Sequence, residues 1–183
     1  MTDNPWRRLP GEPPYVLPED QTKAETFNRE MKRKGRPNFV LHFDMIPEPF
    51  VGCPKAPVVL LGNNPGVESS EAKADRCKPA FADRMRNNLL HRLSDDYPFL
   101  YLDPSPDIPP RSRTWWERKL KSLFREFGPD QDVARRILAR SILAVEFFPY
   151  VSHRFRLGRL SLPSQRYSFD LVRKAMGRKA FIG

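Results

Sequence analysis

The run Gly62-Asn63-Asn64-Pro65-Gly66 gathers two side-chain amides into a turn made of residues that permit tight backbone geometry. Each amide carries an acceptor oxygen and two donor hydrogens. An asparagine presented this way could hold a water against an electrophilic carbon, or read the edge of a base with both amide groups. The ordinary alternative is a turn whose asparagines cap their own backbone. In the ligand reading, the backbone at Gly62, Asn63, Pro65 and Gly66 comes close to the bound molecule. Glu68 and Glu71 follow at once and are the nearest carboxylates able to act as a general base, although acidic residues beside a helix start also answer to the helix dipole.

A second chemical segment is Glu146-Phe147-Phe148-Pro149-Tyr150-Val151-Ser152-His153-Arg154. Glu146 ends an apolar run, which is unfavourable for a carboxylate unless it faces a polar cavity or pairs with an arginine. Phe148 and Tyr150 are rings that could stack on a base, with core packing the commoner fate of consecutive phenylalanines. Ser152, Arg154, Arg156 and Arg159 are candidate phosphate contacts, with His153 among them.

The elements that must position these residues can be read from periodicity. Residues 20–35 predict a helix with Ala24, Phe27 and Met31 in phase and Gly35 as its stop, and 38–44 a short strand. Four prolines between Ile46 and Pro57 forbid a regular element there. Val58, Val59, Leu60 and Leu61 predict a strand buried on both faces. A helix with Phe81, Met85 and Leu89 follows over 80–93. A capping box, Thr114 with Glu117, then opens a helix with Trp116, Leu120, Leu123 and Phe127 inward. A short helix over 130–140, a buried strand over 141–148 and a helix capped by Ser164, with Phe169, Val172 and Met176 in phase, complete the pattern. Ala180-Phe181-Ile182-Gly183 stands where another strand should begin, so the domain is expected to be cut short at its C-terminus. Such alternation predicts an α/β fold: three layers, α/β/α, around a mostly parallel sheet, with ligands at the carboxyl ends of the strands. Residues 1–19 read as an extended Pro-rich arm without core residues, and 20–183 as a single domain.

Composition narrows the function classes. The chain has 183 residues, 39% of them apolar, and 20 prolines against 9 glycines. That balance builds one soluble core joined by long connections. Two cysteines cannot make a disulfide framework, a four-thiolate zinc site or an iron–sulfur cluster held by four thiolates, and His42 and His91 lack partners at metal spacing. No metal or other cofactor is expected. An intracellular, cytoplasmic setting follows, with no membrane segment and a monomer favoured. Residues 1–110 carry 15 Lys and Arg against 16 Asp and Glu, whereas 111–183 carry 17 against 6. Segregation of this kind suits a polyanion-binding face, or simply a solvated basic surface.

Val58 to Gly66, VVLLGNNPG, resembles the first motif of the uracil-DNA glycosylase superfamily, most closely its mismatch-specific branch, in which an apolar strand enters a Gly-x-Asn-Pro-Gly turn. The resemblance places Asn64 as the residue that positions the attacking water, with Asn63 at the variable site. Pro79 and Phe81 are similar to a Pro-Phe pair whose ring stacks on the flipped base, with Ala80 intervening. VEFFPYVSHR is similar to the second strand-to-loop segment, with Leu143 nearest to an asparagine that some members carry there. The third motif, a His-Pro-Ser type loop supporting the leaving base, has no counterpart; His153 is the nearest histidine able to donate to a departing base. What the resemblance implies is DNA binding and hydrolysis of the N-glycosidic bond of a flipped, damaged or mismatched base, with Asn64, Glu68, Glu71 and His153 in catalytic roles. The alternatives are a DNA-binding module of the same fold without turnover, and a small-molecule or nucleotide hydrolase using the turn on phosphates, although the turn lacks the lysine of a phosphate loop.

Overall fold

The computed structural model of the chain describes residues 3–155 and 160–183. Four strands form one mixed sheet in the order β1-β3-β2-β4, where β1 is Phe50–Gly52, β2 Val58–Gly62, β3 Ile142–Glu146 and β4 Phe181–Ile182. β2 runs parallel to both β3 and β4, while β1 is antiparallel to β3. Seven α-helices accompany the sheet among the described residues: α1 Pro18–Arg33, α2 Ser70–Arg76, α3 Pro79–Leu89, α4 Pro110–Lys119, α5 Lys121–Glu126, α6 Gln131–Ser141 and α7 Gln165–Gly177.

β3 and β2 are the two inner strands, and in β3 Ile142 to Val145 are all buried. Apolar residues on both sides of its pleat are what a strand covered on both faces requires. β2 differs from that expectation. Val59 is fully buried, but Leu61 is 53% exposed, so the described residues leave the end of that face uncovered. β4 itself occupies the place where the sequence predicts a last strand.

β1 is a correction. Prolines exclude regular structure only where the ladder needs their N–H, and the three residues of β1, which lies between Pro49 and Pro54, pair on one edge alone. The other edge is met by the buried Asn88 of α3, whose Nδ2 donates to Phe50 O at 2.8 Å and whose Oδ1 accepts from Gly52 N at 3.0 Å. In place of the strand expected over 38–44 there is a 3-10 turn, Pro37–Phe39, and a single bridge between His42 and Val151.

The helices follow the predicted faces in α1, where Ala24 and Met31 are buried and Gly35 takes φ 64, and in α3, where Phe81, Met85 and Leu89 are. They depart elsewhere. Pro110, favourable at a first helical position, starts α4 ahead of Thr114, so the Thr114–Glu117 pair lies inside the helix and caps nothing. The chain breaks at Leu120, which shifts the phase: Phe124 turns inward and Leu123 and Phe127 are left exposed. In α7 the buried face is Ser168, Leu171 and Ala175, with Met176 exposed, and Ser164 makes no side-chain cap. α2 was not foreseen; Ser69 caps it through a bond from Ala72 N.

The N-terminal stretch also departs from expectation, since Trp6, Val16 and Leu17 are core residues. Asn4 caps the turn Pro5–Arg8 and donates to Leu89 O at 2.7 Å, so polar ties seat the Trp6 ring. A smaller cluster joins Val16, Ala24, Leu41, Phe148, Tyr150 and Leu162. None of the helices is long and apolar enough to cross a membrane among the described residues.

Candidate functional site

Parallel pairing of β2 with β3 brings the two chemical segments side by side at the carboxyl ends of the strands. Past the last paired residues, Gly62 and Glu146, the exits stay tied: Phe147 N donates to Gly62 O at 2.9 Å, Phe148 N to Asn63 O at 2.8 Å and Ser152 N to Pro65 O at 3.3 Å. Crevices form where parallel strands end, and here a cavity of about 370 Å³ opens. Asn64, Pro65, Gly66, Val67 and Glu68 line it from the turn after β2, Ala144 and Glu146 from β3. Glu48, Arg76 and Tyr101 contribute polar groups, and Arg111, Ser112, Trp115 and Trp116 of α4 close the remaining side.

Asn64 is anchored by one end of its amide. Nδ2 donates to Ser152 Oγ at 2.9 Å, and lies 3.4 Å from Ser152 O and 3.2 Å from Pro65 O. Oδ1 has no hydrogen-bond partner among the described residues. The amide is therefore oriented across the two strand exits with its acceptor oxygen available, which suits a role toward water or a ligand N–H.

Glu146 lies directly across the pairing from Gly62, and its carboxyl group rests against the Gly62 α-carbon, where any Cβ would collide with it. A side chain at this position would have to displace the carboxyl. Oε2 is shut off from solvent without a hydrogen-bond partner among the described residues. Burial first, and the neighbouring Glu48 second, push this carboxyl up to about 7 against the opposing pull of Arg76 and Lys119. A carboxyl that keeps its proton up to about neutral pH can, in that protonated form, donate as well as accept.

Beside it is a buried ion pair that the sequence reading did not single out. Arg76 Nη2 bonds Glu48 and Tyr101 Oη, Tyr101 donates to Glu48, and Arg76 Nη1 donates to Gly66 O at 2.6 Å. Burial would lower the Arg76 guanidinium, but Glu48 and Tyr101 hold it raised and charged; burial pushes the Tyr101 phenol well up, so it stays protonated. The network braces the turn at Gly66 from behind. Its one legible signal was Glu48 itself, a charge between Pro47 and Pro49 in an apolar stretch, which must find a partner. Trp115 and Arg111 were legible only as helix residues, because α4 reaches the site through tertiary packing.

The structure gathers some predicted site residues and separates others. Asn64, Pro65, Gly66, Glu68 and Glu146 share the cavity, and Ser152 touches it through Asn64. Gly62 lies beneath Glu146, while Asn63 is exposed and uses its carbonyl between the strands. Glu71 sits exposed on the first turn of α2, away from the cavity, with hydrogen bonding from Ser69 lowering its carboxyl, the arrangement of an ordinary helix-start carboxylate. Phe81 is packed in the core near Tyr101. Tyr150 is fully buried: its hydroxyl donates to Asp20 at 2.8 Å and accepts from Leu17 N at 3.1 Å, and burial, then Asp20, raise it strongly. It faces the smaller apolar cluster and is a structural residue. Phe148 belongs to that cluster too, beside a crevice of about 10 Å³ shared with Arg154, which is the size of one water.

His153 is exposed, donates from Nδ1 to Val67 O at 2.8 Å and sets its ring edge-on to His42 at 5.2 Å, outside the cavity. Burial, then Lys73, lower the His42 imidazole. Arg154 is exposed near the mouth of the small crevice; Arg156 and Arg159 lie outside the described residues. Among the described residues no group of three or more His, Cys, Asp or Glu is arranged to hold a metal ion. No family model matches the chain, and no curated protein or solved structure matches it.

Proposed function

We propose that this chain is a DNA-binding protein of three-layer, uracil-DNA-glycosylase-like architecture that hydrolyses the N-glycosidic bond of a base flipped into the cavity between β2 and β3. One observation carries the reading: Asn64, anchored by Ser152 and with its amide oxygen unpartnered among the described residues, lines a cavity together with Glu146, whose Oε2 likewise has no described partner, and aromatic rings, at the ends of adjacent parallel strands. Scission of such a bond needs a placed water, a pocket for the departing base and favourable electrostatics. Asn64 Oδ1 would accept from the water as it meets the sugar carbon, and Glu68 is the cavity carboxylate nearest in sequence to take its proton. Trp115, Trp116 and Tyr101 supply flat apolar surface for a base. The basic excess of residues 111–183, with Arg111 at the cavity, favours a polyanionic strand.

A module that binds DNA without turnover is the second reading. It is favoured by the position of His153, whose Nδ1 is occupied by Val67 O outside the cavity, so no histidine stands by a leaving base. Turnover of a uracil-containing oligonucleotide by the native chain and by Asn64→Ala separates the two. The enzymatic reading expects a loss of about 10² to 10³ in rate for Asn64→Ala, the scale of removing one positioned polar group. Equal rates would remove Asn64 from catalysis. Salt-sensitive DNA binding without any turnover would leave the module alone.

A further inference from the structure

Glu146 is the unusual group of the cavity, since it is the acid that neither Arg76 nor any other described residue satisfies. Arg76 is already engaged by Glu48, Tyr101 and Gly66 O. Both Glu146 oxygens rest against Gly62, but Oε2 is shut off from solvent without a partner among the described residues, so Oε1 is the atom left to meet a ligand. Two chemistries could be offered there. Ionised Glu146 beside ionised Glu48, with a single guanidinium between them, would leave an excess negative charge and attract a cation. Neutral Glu146 would offer one O–H donor.

We infer that Glu146 works as a neutral carboxylic acid donating a hydrogen bond to a carbonyl oxygen of an uncharged planar heterocycle, so that the cavity selects an oxo-bearing base and rejects cationic ligands. That the heterocycle is a nucleobase rests on the glycosylase-like reading; the acid–carbonyl contact rests on the geometry. The enclosed oxygen weighs against the ionised form, because a carboxylate buried without donors is the costliest state for that site. Asn64 complements the contact, since its Nδ2 is held by Ser152 and its Oδ1 accepts a ligand N–H or a water. A ligand bearing one acceptor, one donor and flat apolar faces is what Glu146, Asn64 and the rings of Trp115 and Tyr101 jointly describe.

The charged and titratable groups facing Glu146 come from three other elements and one loop. They are Glu48 ahead of β1, Arg76 on α2, Tyr101 in the turn Leu100–Leu102 and Lys119 at the end of α4. Burial and Glu48 favour the acid form; Arg76 and Lys119 oppose them, and the balance leaves the carboxyl titrating at about 7. Ligand affinity is thereby tied to pH. A ligand that needs the proton weakens as pH rises through this range, and a cation strengthens.

The test titrates the full chain with uracil and, separately, with the cation benzamidine, reading tryptophan fluorescence. Both are measured at about pH 5.5 and about pH 8.5, either side of the carboxyl's titration. Uracil affinity should fall about tenfold for each pH unit above about 7. Glu146→Gln keeps an amide donor and should retain uracil binding while flattening that dependence; Glu146→Ala should weaken uracil at the acid end. Uracil binding that is flat with pH, a slope unchanged in Glu146→Gln, benzamidine bound more tightly than uracil at about pH 5.5, or no uracil binding at all would overturn the inference. Proton-linked uracil binding without turnover on the oligonucleotide would sink the glycosylase reading alone. Turnover with pH-independent uracil binding would sink the role of Glu146 alone.

Discussion

Glu146 and Gly62 are register partners on adjacent parallel strands, and the carboxyl of one lies where a side chain of the other would stand. The two residues make a single unit: the missing side chain creates the niche, and the niche encloses the acid. Gly62→Ala should expel the carboxyl toward the cavity. The yielding atoms end a flexible side chain, so the expected destabilisation is modest, about 1 kcal/mol. NMR titration should show the Glu146 carboxyl moving from about 7 back toward ordinary glutamate values as it meets water. A carboxyl still titrating near 7 in the variant would mean that Gly62 does not build the niche.

The same acid sets a pH dependence of stability. Its folded value is raised, so the native state holds a proton that the unfolded chain releases near the ordinary glutamate value of 4.5. Stability should therefore fall as pH rises from about 4.5 to about 7, by about 3 kcal/mol for this group. Asp20, fully buried and also raised by burial, adds a loss of the same sign that begins near the ordinary aspartate value of 3.8. Urea denaturation of Glu146→Gln should show the variant more stable than the native chain at about pH 8 and little changed at about pH 4.5. The opposite ordering would show that the carboxylate is stabilised in the fold.

Arg76 and Glu48 should be costly to separate. Arg76→Ala leaves the Glu48 carboxylate buried with only Tyr101 as partner, and the loss of a buried pair's cation typically costs about 3 to 5 kcal/mol. Tyr101→Phe removes a hydroxyl that bonds both partners and should cost about 1 to 3 kcal/mol. Equilibrium unfolding in urea measures both losses. Near-native stability for Arg76→Ala would mean that Glu48 has another source of compensation.

Tyr150 offers a contrast. Its hydroxyl links Asp20 of α1 to Leu17 N at the start of the same helix, far from the cavity lining. Tyr150→Phe should destabilise by about 1 to 3 kcal/mol, because Leu17 N–H and one Asp20 oxygen lose a buried partner. Affinity for a uracil-containing oligonucleotide should stay within about twofold of native, the scale of an uninvolved site. A selective loss of binding in a stable Tyr150→Phe protein would return the ring to the ligand.

Local chemistry and periodicity make part of this molecule legible in the sequence. The apolar run Val58 to Leu61, the phased Phe81, Met85 and Leu89, and the turn Gly62 to Gly66 each depend on neighbours within a few residues, so their elements and the prominence of Asn64 can be read from spacing. Glu146 was legible as an anomaly, a carboxylate at the end of an apolar strand. The direction in which its anomaly would resolve was not, because that depends on Gly62 lying opposite it in a register formed across more than eighty residues of chain.

The rest belongs to long-range contacts. The proline-flanked β1 exists because Asn88 satisfies the edge that β3 leaves open, and Tyr150 turns inward because Asp20 waits on α1. Trp115 and Arg111 reach the cavity only because α4 packs there, and the break at Leu120 resets the buried phase of α5 that follows. Sequence determines which residues are capable of chemistry and where the chain bends. Which of them meet, and which carboxyl is deprived of water, is decided by packing, because the energy of a buried polar group is fixed by partners that arrive from elsewhere in the chain.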